Sequence, residues 1–166
     1  MSRAFVKEGA GELEPLPDLP ISPHPNYVTP RGLQSLRGRL AEVQATLTAL
    51  RARAERLDKL PEAAAERDIR YLEARLKSAI LVDPAAQGIQ TVAFGHAVTV
   101  ADDQGREITY EITGEDEADA VHHRIAPQSP LARALIGAAV GDTVTWKRPS
   151  GTLELKVLNI SVPPSA

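Results

Sequence analysis

The chain contains no cysteine, which excludes disulfide staples, thiolate metal sites and cysteine nucleophiles together. Aromatic residues are scarce as well, at 4% of 166 residues with a single Trp. The three that fall in the C-terminal half, Phe94, Tyr110 and Trp146, are needed for a core and leave little for a ring-lined ligand pocket. No apolar run approaches the roughly 20 residues of a membrane-spanning helix. The stretch after Met1 runs into Lys7, Gly9, Glu12 and Pro15 rather than a leucine-rich signal core. There is no Gly-rich phosphate loop, and no Ser, His and Asp stand in a supporting catalytic context. These absences predict a soluble, cytoplasmic protein that is not an enzyme. The length allows one ordinary domain or two small ones.

What is present is unevenly distributed. The net charge is only −3, but residues 29–81 hold eleven Lys and Arg against seven Asp and Glu, whereas residues 82–166 hold six against eleven. A basic middle and an acidic end suit two modules facing different partners, the first of them anionic; a solvated helix surface accounts for the same counts. Residues 1–28 read as a tail, because Pro15, Pro17, Pro20, Pro23 and Pro25 forbid helix and favour extended backbone. Phe5 and Val6 are its candidate anchors.

Thr29-Pro30 is a helix start: the Thr side chain can cap, and proline at the first helical position loses nothing. From there Leu33, Leu36, Leu40, Val43, Leu47, Leu50, Ala54 and Leu57 recur at spacings of three and four, the seam of a coiled coil. Arg37, Arg51, Arg53 and Arg56 lie around that seam and make the outer face of this helix basic. Pro61 forbids one continuous helix, so a reversal is expected at Asp58 to Pro61. Ala65, Ile69, Leu72, Leu76 and Ala79 then form a second seam that can pack antiparallel on the first. The two arms, residues 29–83, should form a helical hairpin roughly 30 to 40 Å long.

Residues 84–166 carry strand alternation instead. Val98 and Val100, then a turn at Asp102 to Gly105, then Ile108, Tyr110 and Ile112, read as a β-hairpin. Ser129-Pro130 opens a short helix through Leu131, Leu135 and Ile136 that ends at Gly137. Val144 and Trp146, a turn at Pro149-Ser150-Gly151, and Leu153, Leu155 and Val157 complete a small antiparallel sheet. The expected class is α+β. His122-His123 follows Glu115-Asp116-Glu117-Ala118-Asp119, which reads as an exposed acidic loop rather than a metal centre, since adjacent residues point apart.

The run Ser129-Pro130-Leu131-Ala132-Arg133-Ala134-Leu135-Ile136-Gly137, followed by Val140-Gly141-Asp142 and the Pro149-Ser150-Gly151 turn, resembles the C-terminal domain of the GreA/GreB transcription elongation factors. Arg67 to Leu76, leading into Leu81-Val82-Asp83, resembles the returning arm of their hairpin, and the similarity resumes at Tyr27 to Leu33. The resemblance implies an FKBP-like C-terminal fold that grips bacterial RNA polymerase at the rim of its secondary channel, with Ser129, Pro130 and Leu131 as a contact, while the hairpin reaches inward. It also implies indirect contact with nascent RNA through the basic helix face, and no membrane or small-molecule partner. A nucleoside diphosphate kinase regulator-like interaction protein and a polymerase-channel inhibitor remain as alternatives, and a peptidyl-prolyl isomerase is disfavoured by the few aromatics.

At the hairpin tip the chain departs from the pattern. Cleavage-active members carry an acidic Asp, Glu-Asn-Ala-Asp/Glu-Tyr motif that helps hold a second magnesium ion, and no such motif is present. The arms are also shorter by roughly two turns each. Asp58 and Glu62 are the candidate tip acids. They could serve Mg2+ only as an ion shared with the polymerase active site, and no cofactor of the chain's own is expected. The residues equally suit a turn acid and a helix first-turn acid. The expectation is channel occupancy without strong stimulation of transcript cleavage.

Overall fold

The computed structural model describes residues 14–164, so Phe5 and Val6 lie outside the described residues. Helix α1 spans Pro30–Arg51 and helix α2 spans Leu60–Ser78. They pair as the hairpin, in which Leu36 and Leu72 are buried in a cluster flanked by Leu33, Leu40, Val43 and Leu76. Thr29 caps α1, its hydroxyl accepting from the Gly32 N–H at 3.0 Å.

The first arm is shorter than its apolar spacing predicts. Helix α1 stops at Arg51, so Ala54 and Leu57 fall in the connecting loop, with Leu57 94% exposed. The cause is the partner: α2 begins only at Leu60, and a seam residue beyond its reach has nothing to pack on. Arg53 closes the end by donating from Nε to the Leu50 carbonyl at 3.1 Å and from Nη2 to the Asp58 carbonyl at 3.1 Å.

Strands β1 (Tyr27–Val28) and β2 (Ile80–Leu81) pair in parallel where the arms meet the rest of the chain. The last two residues assigned to the proline-rich tail are therefore a strand. A second sheet holds β3 (Ala97–Ala101), β4 (Glu107–Ile112), β5 (Arg124–Ile125), β6 (Thr143–Arg148) and β7 (Gly151–Ser161) in the order β5-β4-β3-β7-β6. It is mixed rather than purely antiparallel, because β5 runs parallel to β4. The chain reaches that edge through a 3₁₀ turn at Ala120–His122 instead of a direct hairpin, which is what allows the parallel approach. Helix α3 (Pro130–Leu135) covers one face, burying Leu131, Ala132 and Leu135 against Val98, Ile112, Val157 and Ile160. The class is α+β as expected, with a curled sheet on one short helix.

Two polar layers join hairpin and sheet. On α1, Arg31 binds Glu117 at 2.6 Å and Glu111 at 2.5 Å, and the Thr29 hydroxyl donates to Glu117 at 2.6 Å. On α2, Arg75 binds Asp116 at 2.6 Å and Glu115 at 3.4 Å, while the Tyr71 hydroxyl donates to Asp116. Burial, and then the hydrogen bond to Asp116, push the Tyr71 phenol up to about 12. Glu115, Asp116 and Glu117 are thus held by the hairpin base, and the acidic stretch is not the exposed loop its composition suggests. Gly114 is required by the same contact: a Cβ there would lie 2.5 Å from the Tyr27 carbonyl oxygen.

Candidate functional site

The hairpin tip is the first place where predicted site residues converge. Glu62 stands in the first turn of α2, where a carboxylate complements the helix N-terminus. Its side chain is only 6% exposed, because Arg56 caps it with two bonds, Nε to Oε1 at 2.8 Å and Nη2 to Oε2 at 2.5 Å. Arg53 adds a longer contact at 3.8 Å. The hydrogen bond from Arg56 holds the Glu62 carboxyl below its ordinary range against the opposing effect of burial. Asp58 is exposed, and its Oδ1 accepts from the Leu60 N–H at 2.9 Å, the local turn bond that starts α2.

The two acids therefore do not form an open carboxylate pair. A magnesium ion at Glu62 would have to displace a bidentate guanidinium, and hard cations bind through oxygen atoms that are not already bridged by a competing cation. Among the described residues no group of three or more His, Asp or Glu side chains is placed to hold a metal ion.

The basic face is also less free than its composition suggests. Arg51 pairs with Glu66 across the hairpin at 2.8 Å, and Arg53 and Arg56 are turned onto the tip loop and Glu62. Arg37 remains exposed along α1.

At the other end, Ser129 caps α3 by accepting from the Ala132 N–H at 3.3 Å and donates to the Ala126 carbonyl at 2.7 Å. Pro130 is exposed, whereas Leu131 is 3% exposed and belongs to the sheet core. Of the three predicted contact residues, Leu131 supports the surface from beneath. Away from α3, the same face of the sheet opens into a groove of about 310 Å³ floored by Val100 and Leu155, with Ile108, Tyr110, Trp146 and Leu153 as walls. Arg106 and Arg148 also line it, and Arg148 lies over the Trp146 ring at 5.3 Å. Sequence reading missed this groove. Its signal is a helix of only 6 residues opposite strands as long as 11, too short to cover the face.

The family model described as "Transcription elongation factor, GreA/GreB, C-term" matches residues 86–162, which takes in the whole five-stranded sheet and α3. Residues 86–162 thus form a domain of the GreA/GreB C-terminal type. The chain is 44% identical over 94 residues to the transcription elongation factor GreA of Alkalilimnicola ehrlichii, covering 55% of this chain and 60% of that protein. It is 42% identical over 96 residues to the transcription elongation factor GreB of Neisseria meningitidis serogroup B, covering 57% and 59%. The chain thus matches about 60% of the length of these curated relatives. Among solved structures, GreA factor homolog 1 (Gfh1) of Thermus thermophilus aligns over 83% of this chain and 99% of its own at 24% identity, with a TM-score of 0.39, too low to carry weight. The GreA/GreB domain accounts for the sheet, α3 and the acidic residues that face the hairpin; the tip stands outside it.

Proposed function

We propose that this protein is a transcription elongation factor that binds bacterial RNA polymerase through its GreA/GreB domain and places the helical hairpin in the secondary channel. It acts there on paused or backtracked complexes, without enzymatic activity of its own. The observation that carries this reading is the combination of a GreA/GreB sheet domain with a paired helical rod, α1 being 22 residues and hence roughly 33 Å long. A lever of that length serves a protein that must reach a buried target from an external foothold.

The state of the tip supports occupancy over cleavage. With Glu62 bridged by Arg56 and Asp58 committed to its turn, the tip offers steric occupancy rather than a metal-binding pair. The protein is therefore a regulator that alters escape from pausing and stimulates cleavage weakly. The groove beside Trp146 and the exposed Pro130 are the surfaces available for polymerase contact.

The test uses elongation complexes halted in a backtracked register. The reading expects a concentration-dependent change in the rate of escape, with few short 3′ RNA fragments released. Strong magnesium-dependent cleavage that disappears in Asp58→Asn/Glu62→Gln would overturn the occupancy mode. No effect on escape at saturating protein would overturn the assignment itself.

A further inference from the structure

The proline-rich segment before the hairpin lies along α2, outside the stretch that the GreA/GreB domain covers. Asp18 pairs with Arg70 at 2.5 Å, and Arg70 also donates to the Leu16 carbonyl at 2.8 Å. Ser22 donates to Glu115 of the sheet domain at 2.9 Å. The segment ends on Asn26, which is 5% exposed. The Asn26 amide nitrogen donates to the Arg75 carbonyl at 2.8 Å and to the Ser78 hydroxyl at 3.1 Å, and its amide oxygen accepts from Arg75 Nη2 at 2.7 Å.

Arg75 is therefore a three-way junction. Its guanidinium reaches the sheet domain through Asp116 and Glu115 and the tail through Asn26, while its backbone belongs to the last turn of α2. A planar fork with fixed donor directions holds partners at fixed angles, which a lysine ammonium does not. Two neighbouring features limit the ways this joint can move. The β1–β2 pair is only two residues long in each strand, so it is a weak restraint by itself. The Arg31 and Thr29 contacts anchor the hairpin through α1, and Arg75 supplies the matching anchor on α2.

We propose that Arg75 is the positioning residue that sets the angle at which the hairpin leaves the sheet domain, and that residues 14–26 are a strap that locks this angle through Asn26. The strap turns a two-way arginine–carboxylate joint into a closed three-way one, so removing Asn26 loosens the hairpin without touching the tip or the sheet surface. Its functional meaning rests on the elongation-factor reading, since an aimed hairpin matters when the tip must enter a channel.

The absence of cysteine makes the test clean. Ala49→Cys on α1 and Ser150→Cys in the β6–β7 turn, both exposed, are spin-labelled in the full chain and their separation is measured by pulsed electron resonance. The proposal expects one narrow distance distribution in the parent, a broad one in Asn26→Ala and in Arg75→Lys, and partial recovery in Asn26→Asp, which keeps the acceptor for Arg75. Asn26→Ala should keep its helical circular dichroism and its affinity for core polymerase, yet lose most of its effect on pause escape at saturating concentration. A distribution that stays narrow in both Asn26→Ala and Arg75→Lys overturns the proposal. A broadened hairpin with undiminished effect on escape overturns its functional half. If the parent fails to bind polymerase, the elongation-factor reading falls, but the distance measurement still decides whether Arg75 and the strap fix the angle.

Discussion

Replacing Arg75 with methionine keeps the aliphatic stem and deletes the guanidinium. Arg75 is 1% exposed and the Asp116 side chain 10%, so the change removes the bonds to Asp116 at 2.6 Å, Asn26 at 2.7 Å and Glu115 at 3.4 Å from a site largely closed to water. Asp116 is then left with Tyr71 as its side-chain donor. Removing one partner of a buried ion pair costs about 3–5 kcal/mol, mostly through the charge left behind. Against the roughly 5–15 kcal/mol of an ordinary domain, that is a large fraction. Equilibrium urea unfolding followed by far-ultraviolet circular dichroism measures the loss. Adding Asp116→Asn to Arg75→Met should restore part of it, because the orphaned charge goes too, and the resulting double-mutant cycle reports the coupling. A loss below about 1 kcal/mol, the value of an exposed surface pair, would refute the reasoning and show that this joint is open to water in solution.

Three further outcomes follow from the same structure. Leu72→Ala, in the buried cluster with Leu36 and Val28 at the base of the hairpin and 1% exposed, should cost about 2–5 kcal/mol in the same unfolding assay. Gly114→Ala should destabilise by about 1–3 kcal/mol, because its Cβ meets the rigid Tyr27 carbonyl at 2.5 Å rather than a yielding side chain. His96 is buried, with Nδ1 accepting from the Ala93 N–H at 3.0 Å, and burial lowers its pKa below the ordinary 6.5. As pH falls through 6.5 the unfolded chain takes up a proton that the native chain refuses, so stability drops on acidification until the lowered native pKa is passed. His96→Asn should flatten that part of the stability-pH curve.

The hairpin and the alternating strands were readable because each has a period that local sequence displays. Leu36 and Leu72 on the two seams, and Val98, Val100 and Ile112 on the sheet, are buried as their spacing requires. The end of α1 was not readable, since Ala54 and Leu57 continue the spacing and only the position of α2 shows that they have no partner. The parallel placement of β5 and the β1–β2 pair depend on contacts far apart in sequence, Tyr27 with Ile80 and Glu111 with Arg124, which no local pattern encodes.

At the candidate sites the residue types were visible and their partners were not. Asp58 and Glu62 were recognisable as tip acids, but Arg56 lies only six positions before Glu62 and nothing in the spacing shows that it folds back onto the carboxylate. Leu131 illustrates the converse. Its burial was implicit in its position, one residue past Pro130 on the face shared with Leu135. The acidic stretch at Glu115 to Glu117 misled because charge alone does not distinguish solvent from an arginine across an interface.

The most direct test of the central claim is equilibrium binding of the labelled full chain to purified core RNA polymerase, at several salt concentrations, alongside a variant with Pro130→Asp and Ile108→Asp on the sheet domain. The account predicts saturable one-to-one binding that competes with an authentic GreA protein and is lost in the sheet-domain variant, while Arg56→Ala at the tip leaves it intact. Absence of binding, or binding that survives the sheet-domain changes and vanishes with the tip change, would contradict it.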